Sequence, residues 1–169
     1  MRMQTGIQPF NEKEADNLSS CKGFVSGKDI TFGEFIEHSI KNKDKITRFY
    51  FGKLSQELAD RIEAETGRNV ENYNVVINSS EVRHILSKHG DSAREAFKGQ
   101  LGIDKLLLVR LPEVFDCPEE VEKLKSLDYG RRVAFALRKK INGYAIVVSG
   151  MSDGRAAIQI DSFWVRSSE

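Results

Sequence analysis

The stretch RRVAFALRKKINGYAIVVSGMSDGRAAIQIDSFWV, residues 131–165, decides how the chain is read. Val133, Phe135 and Leu137 recur at every second position, the period of a strand with one buried face. Asn142–Gly143 then gives the strongest short-range hairpin signal, because a two-residue type I′ turn needs positive φ at both central residues. Ser152–Asp153–Gly154 gives a second turn. The segment predicts a three-stranded antiparallel meander, with residues 131–141 paired to 144–149. On its last strand, alternation places Ala156, Ile158, Ile160, Ser162 and Trp164 on one face, where Ser162 is the polar break.

Upstream the period changes to that of helices. In TFGEFIEHSIKN (31–42), Phe32, Phe35, Ile36 and Ile40 follow helical spacing, and Thr31 with Glu34 forms a capping box. ITRFYFGKL (46–54) alternates as a strand. SQELADRIEAETG (55–67) is a helix with Ser55 as cap and Gly67 as stop. NYNVVIN (72–78) is a short β-branched strand, and Ser79 or Ser80 caps the helix that follows. SAREAFKGQ (92–100) reads as helical. IDKLLLVRLPEVFDCPEEVEKL (103–124) reads as a short helix, a turn, and a second short helix or loop. The expected class is α+β, with N-terminal helices packed on a C-terminal antiparallel meander. Residues 1–45 are expected as an arm and helix, and residues 46–169 as the main domain.

Composition narrows the function. The 169 residues carry a formal net charge of +1 with 30% charged and 40% hydrophobic residues, so no global basic field points to nucleic acid and only a local patch could. Cys21 and Cys117 match no zinc or redox spacing and read as buried or half-buried free thiols in a reducing compartment. No stretch is long and apolar enough for a membrane span, and the first residues lack a signal-peptide core. A cytoplasmic protein is expected, with delivery into another cell left open.

The segment SSEVRHILSKHG (79–90) concentrates Arg83, His84, Lys88 and His89, with no acid among them. On a helix, Val82, Ile85, Leu86 and His89 form one stripe, while Arg83, His84, Ser87 and Lys88 lie opposite. His84 and Lys88 are one turn apart and can converge on one ligand. The two imidazoles lie about 140° apart, so they do not share a metal as an i, i+4 pair with a nearby carboxylate would. His89 fits equally a packed imidazole at a helix C-terminus, and the other three fit an ordinary solvated face. RNA cleavage by 2′-OH attack would use such a set, since it needs a base, an acid and cations for the phosphorane, and histidine transfers protons near neutral pH. Ser162 is either satisfied by backbone at a sheet edge or aimed into a cleft between sheet and helix. Arg131, Arg132, Arg138, Lys139 and Lys140 make the sheet locally basic, to follow a phosphate backbone or to keep an edge soluble.

The run GKLSQELADRIEAETGRNVENYNVVINSSEVRHILSKHGD (52–91), with EAFKGQLGIDKLLLVRLPEVF (95–115) and the terminal meander, resembles the toxin domains at the C-terminus of phage MuF-type head proteins. Those belong to the barnase–EndoU–colicin–RelE-like nuclease class, and the resemblance covers residues 46–169. It implies a helical half packed on an antiparallel sheet with an RNase-type site between. It carries over Arg83, His84, Lys88 and His89 as catalytic candidates, with Ser162 at the sheet and Gln100 as a substrate contact.

The resulting expectation is a metal-independent endoribonuclease of phage or mobile-element origin that leaves a 2′,3′-cyclic phosphate. His84 acts as base or acid, His89 as second donor or orienter, Arg83 and Lys88 on phosphate, and Ser162 as a hydrogen-bond donor to it. Gln100, Arg131 and Arg132 bind substrate. No cofactor and no metal is implied. The expected partners are RNA, with transfer RNA as a candidate, and an immunity or antitoxin protein. The rival is a non-catalytic RNA- or protein-binding module with the same fold. A transferase on a nicotinamide cofactor is disfavoured, because no phosphate-cradling glycine loop follows a strand.

Overall fold

A computed structural model describes residues 22–25, 28–89, 100–101, 108–124, 132–140, 144–152 and 156–166. Their strands are β1 (Lys22–Val25), β2 (Lys28–Thr31), β3 (Arg48–Lys53), β4 (Asn74–Asn78), β5 (Gln100–Leu101), β6 (Glu120–Lys123), β7 (Ala134–Lys140), β8 (Tyr144–Ser152) and β9 (Ala157–Arg166). The helices are α1 (Phe32–Lys41), α2 (Gln56–Thr66), α3 (Ser79–His89) and α4 (Leu111–Asp116). One mixed sheet runs β2-β1-β3-β4-β9-β8-β7-β6, and β5 pairs with β9 off that path.

The N-terminal half therefore does more than supply helices, because β1–β4 extend the same sheet and β4 joins β9 in parallel. α1 also belongs to the main core. β1 pairs with β3 through Phe24 and Tyr50, and Phe32, Phe35 and Ile36 pack with Phe49, Ile77 and Phe163. Local signals explain the helix ends. Thr31 Oγ1 accepts from the Glu34 backbone N–H while the Glu34 carboxylate reaches back to Thr31, which satisfies two otherwise orphaned donors. Ser55 caps α2, and Gly67 stops it at φ 75°, a left-handed conformation that costs glycine little.

All four described helices contribute buried residues to one core with the inward face of the sheet: Phe35 and Ile36, Leu58 and Ile62, Val82 and Ile85, Leu111 and Val114. A fully buried phenylalanine contributes about 1.5–3 kcal/mol by leaving water. Phe32, Phe35, Phe49 and Phe51 stack edge-on or tilted at 4.8–5.3 Å between ring centroids, which joins α1 to β3. Val133, Phe135 and Leu137 share the core face as alternation requires. β7 and β8 pair from Ala134–Gly150 to Lys140–Tyr144, while Asn142–Gly143 and Asp153–Gly154 of the two predicted turns lie outside the described residues and Ser152 ends β8.

Three local readings change. Residues 120–123 form β6, because their alternating side chains pair with β7, where a helix or loop was expected. Gln100 lies in β5, opposite Arg166, while the helical reading of residues 92–99 lies outside the described residues. Pro112 sits in the first turn of α4, where a missing N–H costs nothing. Cys117 is exposed, whereas a buried or half-buried thiol was expected, because it follows the end of α4; Cys21 lies outside the described residues.

Candidate active site

The site is set by a gap in the sheet. Along one edge of β9, β4 pairs with Ala157–Gln159 and β5 with Val165 and Arg166. Between them, among the described residues, that edge has no strand partner. β4 ends at Asn78 and α3 begins at Ser79 with no loop between, so the first turn of α3 rises beside the gap. Ser79 is buried and holds this junction: its hydroxyl accepts from the Thr47 N–H at 2.9 Å and donates to the Lys45 carbonyl at 3.3 Å.

Val82 and Ile85 bury the inner face of α3 and leave it two flanks. Arg83 lies on the flank toward α1. Its guanidinium donates to the carbonyls of Ser39 at 3.0 Å and Asn42 at 3.3 Å, at the negative end of that helix. Glu81, His84 and Lys88 lie within about 60° of one another on the other flank. His84 and Lys88 are exposed there, and Glu81 is half-buried.

Glu81 Oε2 is buried and finds no hydrogen-bond partner among the described residues. Burial pushes its carboxyl up to about 7, the Asp161 charge adds to the rise, and Lys88 opposes it. Asp161 is itself raised, chiefly by burial, and Arg132 holds it back through charge and a hydrogen bond. The Arg132 Nη2 contacts both Asp161 oxygens, at 3.2 and 3.4 Å. A carboxyl near 7 is ionised in about half the molecules at neutral pH, so it can take a proton and return it.

Ser162 does not extend the face of Ile158 and Ile160. β9 carries a bulge: Ile160 opposes Ser149 and Ser162 opposes Val148, so Asp161 is the extra residue. Beyond the bulge Phe163 enters the main core, while Ser162 takes the register of Ala136 on the other face of the sheet. Strict alternation fails here because one inserted residue inverts every later side chain.

The structure thus gathers His84 and Lys88, turns the Arg83 side chain toward α1, places Ser162 on the far face, and puts Arg132 beside Asp161. His89 ends α3 and Gln100 begins β5, while Arg131 lies outside the described residues. Glu81 and Asp161 were missed. Glu81 was legible, since it stands three residues before His84 and seven before Lys88. Nothing in the alternation of β9 marked Asp161.

The sequence profile of the phage-Barnase-EndoU-ColicinE5/D-RelE like nuclease3 family matches residues 52–169. That span is more than half of the chain and includes α3, the gap and β9, and the protein belongs to this nuclease family. No curated protein and no solved structure matches the chain.

Proposed function

We propose that the protein is an endoribonuclease that cuts RNA by attack of the 2′-hydroxyl, with Glu81, His84 and Lys88 as its reacting groups. The observation that carries the reading is the Glu81 carboxyl, raised to about 7 on the same flank as an exposed histidine and lysine. Glu81 accepts the 2′-OH proton as the O2′–P bond forms. His84, as imidazolium, gives a proton to O5′ as the P–O5′ bond breaks. Lys88 stabilises the charge of the phosphorane between them. The products are a 2′,3′-cyclic phosphate and a 5′-hydroxyl, and side chains supply every proton and charge the step requires.

In this reading the chain is toxic to a cell that contains it, and an immunity or antitoxin protein would cover the same flank of α3. The test incubates purified protein with total RNA and with transfer RNA in EDTA and maps the ends. Cyclic phosphate ends are expected. RNA that stays intact while still retarded in gels would favour the binding module instead.

A further inference from the structure

The bulge that displaces Ser162 also builds a charged cluster with no role in the step above. Arg132 precedes β7, Gly150 lies in β8 and Asp161 is the extra residue of β9, so three separate stretches meet at one point. Gly150 is buried, and a Cβ there would stand 2.5 Å from Arg132 Nη2 and 2.7 Å from Asp161 Oδ2. The ion pair therefore occupies the space that a side chain at 150 would need.

We propose that Arg132 and Asp161 are a positioning pair for Glu81: the guanidinium, seated over Gly150, holds the Asp161 carboxylate in the β9 bulge so that a fixed, partly neutralised negative charge faces the proton acceptor. The proposal rests on the reading of Glu81 as that acceptor. Among the described residues, the charges facing Glu81 are few. His84 and Lys88 share its own flank of α3, while Asp161, paired with Arg132, lies in the gap of β9 between the β4 and β5 pairings, beside the first turn of α3 that carries Glu81. β4 ends in Asn78, whose side-chain oxygen is taken by Arg48 at 3.0 Å, and Arg83 is turned away to α1. Asp161 is thus the one anion among them, and Arg132 sets how much of its charge is felt.

A base must be ionised to act, so cleavage rises with pH along an acid limb whose midpoint follows Glu81. Asp161→Asn removes the facing anion and should move that midpoint down by about half a unit to one unit, within the range a neighbouring charge produces. Arg132→Gln exposes the Asp161 charge and should move it up. Gly150→Ala crowds the flexible guanidinium and should move it in the same direction as Arg132→Gln, by less. A structural role alone would lower the melting temperature and leave the midpoint in place. The same variants are followed by NMR titration of the Glu81 carboxyl carbon, which needs no turnover. If the carboxyl moves down in Asp161→Asn but no variant cuts RNA, the positioning pair stands and the ribonuclease reading fails. If neither the carboxyl nor the acid limb moves in Asp161→Asn, the pair has no influence on Glu81 and the proposal is overturned.

Discussion

The two flanks of α3 use their charged residues in opposite ways. Toward α1, Arg83 is consumed by two backbone carbonyls, so its charge completes a helix end. Toward β9, Glu81 keeps a buried oxygen without a partner among the described residues, and His84 and Lys88 project into solvent. A satisfied charge holds a fold together. An unsatisfied one costs stability and is available for chemistry, and functional sites are where such costs accumulate.

The contrast breaks most readily at the exposed flank. His84→Gln and Lys88→Gln should each lower RNA cleavage by about a hundredfold or more, the usual worth of a proton donor or a charge at a developing anion, with unchanged melting temperatures. Comparable losses of melting temperature would mean that this flank is structural too. Arg83→Ala should act the other way. Loss of a charged donor to two carbonyls should cost about 1.5–3 kcal/mol in denaturant unfolding, with a far smaller fall in turnover of the folded fraction. An Arg83→Ala protein of wild-type stability would erase the difference between the flanks.

The smallest effect is one of pH. The folded-state pKa of Glu81 lies above its ordinary value of 4.5, so the native state binds that proton more tightly than the unfolded chain. Its contribution to stability is complete below about 4.5 and is lost as pH rises through about 7. Calorimetry at pH 5 and pH 8 should therefore show the wild type losing more stability over that interval than Glu81→Gln. Equal losses would place the carboxyl in water.

How much of this was legible follows from range. The capping box at Thr31–Glu34, the Ser55 cap and the alternation of Val133, Phe135 and Leu137 depend on residues within a few positions of one another, and pattern alone carries them. The shared flank of His84 and Lys88 was legible for the same reason. The membership of β1–β4 in the sheet, the parallel β4–β9 pairing and the gap beside it depend on contacts between distant segments, which no local period records. The Asp161 bulge is the sharpest case. One unpaired residue moved Ser162 to the other face and brought an aspartate to the edge where α3 begins. Glu81 stands two residues before the cationic cluster that begins at Arg83, and a reading that starts at the cluster passes it by.

The pH dependence of single-turnover RNA cleavage in EDTA, compared between the wild type and Glu81→Gln, tests the central claim most directly. The account predicts that wild-type cleavage rises with pH along a limb centred near 7, and that Glu81→Gln loses this limb together with about a hundredfold or more of the rate. A Glu81→Gln protein that cuts at the wild-type rate with the same limb would contradict it.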